Sequence, residues 1–225
     1  MDSAAARTRL DEDTIKTLVE NELLGLARHA IRQGRRFVLG IAGVAGSGKS
    51  TLASRLVNSV NTAAQIPGFA VYAPMDGFHF PNRTLKHQGW TDRKGAPFTY
   101  NALGYRELLE RYRSSANVGP VPVYSRREHE PVPSKHPVTS DTAFLVAEGQ
   151  YLLLTEEPWC WLADVLDQTW WLDTPEQAAK RWTIQRHIDV GRTPRRAEEK
   201  YAKNDGPNSR LVRTKRRPAD RVVAW

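Results

Sequence analysis

The run Gly43-Val44-Ala45-Gly46-Ser47-Gly48-Lys49-Ser50 fits the pattern G-x-x-x-x-G-K-S, whose chemistry is the holding of a triphosphate. Glycines at 43, 46 and 48 let the backbone curl until successive N–H groups point at phosphate oxygens. Lys49 supplies a mobile cation for the β- and γ-phosphates, and the Ser50 hydroxyl is a ligand for Mg²⁺. A helix starting here turns its positive end toward the anion. The expected nucleotide-binding set is Gly43, Ala45, Gly46, Ser47, Gly48, Lys49, Ser50 and Thr51.

Two carboxylates fall where such a loop needs them. Asp76, in Met75-Asp76-Gly77-Phe78-His79, follows an apolar stretch. There it either caps a turn before glycine or takes the proton of a hydroxyl that attacks the γ-phosphate. Glu148 closes Ala143-Phe144-Leu145-Val146-Ala147 and precedes Gly149. It is either a solvated strand-end acid or the group that holds Mg²⁺ or its water shell. His79 and His129 are candidates for substrate contact. With His87 and His136 they lie scattered through loops, without the close spacing of a zinc site.

The basic residues are distributed unevenly. Between Arg181 and Arg221 stand 13 Lys and Arg against 5 Asp and Glu, an excess equal to the net charge of +8 for the whole chain. Arg186 and Arg192 in this segment, the latter after Gly191, are suited to closing over a triphosphate and screening charge during transfer. A basic run also suits nucleic acid. Only Trp182 and Tyr201 interrupt this one with aromatic rings, so nucleic acid is not the expected partner.

These residues must be carried by strands ending at one edge. Phe37–Ala42 is an apolar run without alternation, as in a central parallel strand covered on both faces, and a helix should run from Lys49 to about Val60. Further strands are expected at 70–75, 143–147 and 167–173, with Val222-Val223 as a last one. Helices are expected at 11–33, where apolar residues recur near the 3.6-residue period, around 103–112, and after Thr174-Pro175-Glu176. The 77–99 stretch, with Gly77, Pro81, Gly89, Gly95 and Pro97, reads as an irregular loop, and 119–137 as a proline-rich segment near the substrate. Trp159, Trp161, Trp170 and Trp171 read as core residues, and Cys160 between two of them as a buried structural thiol. Strands alternating with helices indicate an α/β fold, a three-layer P-loop NTPase with a mainly parallel doubly wound sheet and an arginine-rich lid.

Length and composition agree with one domain over 1–225. The single cysteine leaves no internal disulfide, and no apolar run approaches the roughly 20 residues that span a bilayer. The N-terminal residues lack an apolar signal core, so a cytoplasmic protein without a membrane partner is expected. A homodimer, the commonest oligomer, stays open.

The phosphate loop, Asp76-Gly77-Phe78-His79, Val146-Ala147-Glu148-Gly149 and the arginine-rich segment together resemble the superfamily of uridine kinase, type I pantothenate kinase and phosphoribulokinase. Arg93-Lys94-Gly95-Ala96-Pro97, Tyr124-Ser125-Arg126, His129-Glu130-Pro131-Val132-Pro133 and Asn204-Asp205-Gly206-Pro207-Asn208 look closest to one branch of it. That branch comprises the nucleoside/nucleotide kinase family proteins, also described as fructose-transport-system kinases. The resemblance runs from about Leu23 to Val223. It implies ATP and Mg²⁺, Asp76 as the base, Lys49, Arg186 and Arg192 as the other catalytic groups, and Ser50 and Glu148 at the metal. It further implies a lid over about 186–205, and substrate contacts from His79, Arg93, Tyr124, Arg126 and His129. The function expected is phosphate transfer from ATP to a hydroxyl of a small metabolite: a sugar, a pantothenate-like alcohol or a nucleoside. The competing class is a nucleotide-dependent switch or accessory ATPase acting with a protein or nucleic-acid partner. That class would leave the 77–137 loops without a closed polar pocket.

Overall fold

The computed structural model describes residues 8–114, 116–125 and 127–225. After a two-residue strand, Thr8–Arg9 (β1), come the helices Glu12–Leu18 (α1) and Leu24–Arg32 (α2), joined by one π turn at Val19–Leu23. Asp11 caps the run by accepting from the Thr14 N–H at 2.8 Å. Ile15, Val19, Leu23, Ala27 and Ala30 are buried along one side, which is the periodicity the sequence carries.

Phe37–Ala42 (β2) leads through the glycine loop into Lys49–Ala64 (α3), which returns to Ala70–Pro74 (β3). Asn82–His87 (α4) and Ala102–Arg113 (α5) follow, then a hairpin of Pro122–Ser125 (β4) and Glu130–Pro133 (β5). The chain re-enters the sheet at Phe144–Glu148 (β6) and Gln168–Leu172 (β7). It then runs through Glu176–Asp189 (α6), Pro194–Lys200 (α7) and Gly206–Thr214 (α8) to Arg221–Ala224 (β8). The main sheet has the order β1-β8-β7-β2-β6-β3, with every pairing parallel.

Alternate residues of the central strands enter opposite cores. Phe37, Leu39, Ile41, Phe144, Val146 and Trp170 pack with α1, α2 and α3. Val38, Ala42, Leu145, Ala147 and Trp171 pack with α5, the Trp159–Val165 turn and α8. A strand covered on both sides gains from apolar residues at every position, hence the unbroken apolar runs. No described helix is long and apolar enough to cross a membrane.

Three departures from the sequence reading have physical causes. The 77–99 stretch is not all irregular: it contains α4, a six-residue helix burying only Leu85, too short to show a period. The proline-rich segment forms the β4–β5 hairpin, with Pro122 opposite Pro133. A two-stranded ribbon is all edge, where a missing proline N–H is tolerated. Trp161 is 39% exposed, unlike buried Trp159, Trp170 and Trp171, and Cys160 is only partly buried.

The wall between α5 and β6 is held by a buried cation. Arg36 is fully buried and donates to the carbonyl oxygens of Tyr112 (2.9 Å), Thr139 (2.9 Å), Thr142 (2.8 Å) and Ser114. Arg36→Leu leaves several buried carbonyls without donors and is expected to destabilise the fold by about 3 kcal/mol, read as a lower urea midpoint.

Candidate active site

β6 lies between β2 and β3, and its last residue, Glu148, stands opposite both Ile41 and Pro74. The phosphate loop begins two residues after Ile41, and Asp76 comes two residues after Pro74. Neighbouring strands are about 4.8 Å apart, so the loop, Glu148 and Asp76 are gathered at the carboxyl edge of three adjacent strands.

The loop is built to its predicted pattern. Gly46 has φ of +73°, and a Cβ there would come 2.3 Å from the Ala179 carbonyl oxygen and 2.4 Å from Thr183 Oγ1. Only glycine allows both that conformation and that approach, so the loop tip seats directly on α6. Lys49 is buried and donates to the Val44 carbonyl at 2.9 Å. Burial lowers its ammonium pKa, while Glu148 and Asp76 act in the opposite direction. Ser47 Oγ is the only buried hydroxyl without a hydrogen-bond partner among the described residues.

Glu148 Oε1 accepts from Ser50 Oγ at 3.1 Å and from Tyr72 Oη at 2.7 Å. Burial pushes this carboxyl above the usual carboxylate range, and the Lys49 charge opposes the push. The donor set suits Mg²⁺, which takes one or two protein oxygens together with substrate phosphates and retained waters. The described residues contain no group of three or more His, Cys, Asp or Glu side chains that would hold a metal by themselves.

Two hollows meet over this edge. The first, of about 570 Å³, includes Asp76, His79, Tyr124, His129, Arg192 and Gln150 in its wall. The second, of about 440 Å³, is bounded by Gly46, Gly48, Thr51, Arg55, Trp182 and Trp225. Lys49, Ser50 and Arg186 line both. Neither the Arg186 nor the Arg192 guanidinium has a hydrogen-bond or ion-pair partner among the described residues, and both side chains are exposed. A phosphate chain lying across the junction would span from one hollow to the other beside these cations.

The expected residues are mostly brought together, with exceptions. Arg93 turns from the first hollow, donating to Asn204 Oδ1 at 3.1 Å and lying 5.7 Å from the Phe98 ring centroid. Its neighbour Lys94 lines the hollow instead. Arg126 lies outside the described residues. Tyr72, Tyr100, Lys94 and Lys200 were missed by sequence reasoning. No motif marks Tyr72, Tyr100 or Lys200, the motif that holds Lys94 does not tell it from Arg93, and Tyr72 sits mid-strand, where its partial exposure shows only in three dimensions.

The wall of the first hollow around Asp76 is aromatic and tightly joined. The His79 ring lies 4.0 Å from that of Tyr100 and 4.9 Å from that of Tyr124, centroid to centroid. Tyr100 Oη donates to Asp76 Oδ1 at 3.3 Å. Burial lowers the His79 pKa from its ordinary 6.5, with Asp76 opposing, so the neutral ring is favoured in the fold. Below pH 6.5 the unfolded chain takes up the proton first, and stability falls as pH drops toward the folded value. His79→Gln should flatten that part of a pH–stability profile measured by urea unfolding.

The hairpin closes the wall because Gly77 has no side chain. A Cβ there would lie 2.0 Å from the Pro122 carbonyl oxygen. Gly77→Ala is expected to lift the hairpin. Hydrogen exchange at 122–125 and 130–133 should then quicken about tenfold or more, with β2 and α3 protected as before.

The fold and this edge define a P-loop kinase architecture. A family model described as phosphoribulokinase / uridine kinase family matches residues 38–205, and the chain belongs to that family. The uncharacterized protein YggC of Escherichia coli (strain K12) is 32% identical over 197 residues, covering 88% of this chain and 81% of its own length. A pantothenate kinase of Streptococcus pyogenes serotype M49 (strain NZ131) is 29% identical over 173 residues. That match covers 75% of this chain but only 55% of the enzyme. The crystal structure of a candidate fructose transport system kinase from Silicibacter sp. TM1040 matches with a TM-score of 0.77 at 30% identity, covering 90% of this chain and 98% of that one.

Proposed function

We propose that the protein is an ATP-dependent kinase that transfers the γ-phosphate to a hydroxyl of a small metabolite. The observation that carries this reading is the junction of two hollows at Lys49, Ser50 and Arg186, with Asp76 on one side and the glycine loop on the other. The donor nucleotide occupies the hollow bounded by Gly48, Thr51 and Trp225, and the acceptor the hollow beside Asp76, His79 and Tyr124. The acceptor oxygen attacks the γ-phosphorus, its proton passes to an Asp76 carboxylate oxygen, and the bond from the γ-phosphorus to the bridging oxygen breaks to release ADP. Lys49 and Arg186 balance the charge that moves toward the leaving oxygen. Ser50 and Glu148 would hold Mg²⁺, which neutralises phosphate charge when bound.

Closure of residues 186–205 over the junction excludes water and limits hydrolysis. Gly191, with φ of +94°, breaks the chain between α6 and α7 and is the point about which the part that follows it would turn. A switch or accessory ATPase working with a macromolecule needs no polar hollow built from the 77–137 loops, whereas in this chain His79, Asn82, Lys94, Tyr124 and His129 line one that is open on one side.

An ADP-release screen against a metabolite panel tests the reading, with Lys49→Ala as the blank. Asp76→Asn is expected to lower acceptor-dependent turnover by about 10²- to 10⁴-fold while nucleotide affinity stays within about twofold. Near wild-type turnover in Asp76→Asn would exclude Asp76 as the base.

A further inference from the structure

The outer wall of the acceptor hollow holds two ammonium groups for which phosphate transfer to a plain alcohol has no use. Lys94 Nζ donates to Asn82 Oδ1 at 2.6 Å and to the His129 carbonyl at 2.9 Å, and lies 5.0 Å from the Tyr124 ring centroid. Lys200 Nζ donates to the carbonyl oxygens of Lys94 at 3.0 Å and Asp92 at 3.3 Å. The two lysines therefore sit in one bonded network on one wall.

Neither lysine forms an ion pair with a described acid. The carboxylates around the hollow are engaged elsewhere or stand off. Glu148 accepts from Ser50 and Tyr72, Asp76 from Tyr100, and Asp205 pairs with His187 at 2.8 Å. Glu130 accepts from the Asn82 N–H and acts on Lys94 from beyond ion-pair distance, as Asp205 and, more weakly, Asp92 act on Lys200. Burial works against the charge of both lysines.

A neutral amide donor could make such bonds to carbonyl oxygens without burying a charge. An ammonium has three N–H donors, and each of these has two protein oxygens as acceptors, so a third donor on each lacks an oxygen partner, that of Lys94 beside the Tyr124 ring. Partly buried cations without anionic partners are costly until an anion arrives. Arg192, on the same hollow and near enough to Lys200 to lower its pKa, adds to the positive field.

We propose that the acceptor carries an anionic group, a carboxylate or a phosphate, separate from the hydroxyl that is phosphorylated, and that Lys94 and Lys200 bind it. The inference rests on the kinase reading and narrows it to hydroxy acids or sugar phosphates. A free sugar or a nucleoside has no charge to place there.

The test uses the full chain with Mg²⁺ and a non-hydrolysable ATP analogue saturating the phosphate loop, so that an anion does not register at Lys49. Thermal unfolding is then followed with matched alcohols: pantothenate against pantothenol, glycerate against glycerol, and ribose 5-phosphate against ribose. At least one charged member should raise Tm where its neutral partner does not, and the carboxylate and phosphate arms identify which anion is read. Lys94→Gln and Lys200→Gln should each weaken that binding at least tenfold. Lys94→Arg, which keeps the charge, should retain more of it than Lys94→Gln.

Equal stabilisation by the neutral partners, no stabilisation by any anion, or unchanged anion affinity in both glutamine variants would overturn the proposal. The two readings fail separately. Anion binding lost in the glutamine variants, without ADP release from ATP for any acceptor, leaves the anion site standing and removes the kinase. Phosphorylation of a neutral alcohol as efficiently as of its charged partner, with both unchanged in Lys94→Gln, leaves the kinase and removes the anion site.

Discussion

The register of β6 between β2 and β3 is the constraint from which the rest of the site follows. Glu148 can face Ser50 only because β6 is hydrogen-bonded to the strand that feeds the phosphate loop, and it stands near Asp76 only because β3 flanks it on the other side. A slip of one residue would turn every side chain of β6 to the opposite core. Phe144 and Val146 pack toward α1–α3, while Leu145 and Ala147 pack toward α5, so such a slip would disorder both hydrophobic layers at once. The core thus fixes the position of the carboxylate as firmly as any polar contact does. The buried charges at this edge, Lys49 and Glu148, raise the stake: each is penalised by burial and each is eased by the other.

The two hollows inherit that geometry in different ways. The loop side is rigidly seated, with Gly46 against the backbone of α6. The acceptor side is assembled from segments distant in sequence: the Asp76 turn, α4, the β4–β5 hairpin and the chain around Lys200. Single side chains join these pieces, as when Lys94 ties Asn82 to His129 and Tyr100 ties Asp76 to the aromatic wall. Loop assemblies of this kind are where substrate choice varies on a fixed scaffold. On the proposed reading, the donor hollow thus rests on one local motif and the acceptor hollow on the joining of four separate segments.

That division also explains what could be read from the sequence. β2, α3, β3 and β6 were legible because a parallel strand covered on both faces writes an unbroken apolar run, and because the glycine loop must join a strand to a helix. Asp76 and Glu148 were legible as acids at strand ends. The hairpin was not, since Pro122, Pro131 and Pro133 contradict strand propensity and its pairing depends on docking over Gly77. Lys94 was overlooked beside Arg93 because nothing local tells which of two adjacent basic residues turns inward. Tertiary bonds decide it: Arg93 is drawn to Asn204, and Lys94 to Asn82 and His129.

The basic C-terminal segment divides between two physical roles. Beyond the segment proposed to close, Arg213, Arg216, Arg217 and Arg221 fasten the core. Arg213 donates to the Thr174 carbonyl at 2.7 Å, Arg217 to the Cys160 carbonyl, and Arg216 lies 4.4 Å from the Trp171 ring centroid. Arg221 pairs with Glu22 at 2.7 Å and lies 5.3 Å from the Trp170 ring centroid, holding the helical N-terminal run to the far side of the sheet. Planar guanidinium groups suit these roles, since they donate to carbonyls at the edge and stack on indoles through the face. Arg186 and Arg192 instead line the first hollow, exposed and without a hydrogen-bond or ion-pair partner among the described residues. On the kinase reading, a cation left free beside buried Lys49 gains little until an anion lies between them. The +8 of the chain is therefore a poor guide to its partner, since much of the basic segment fastens the fold.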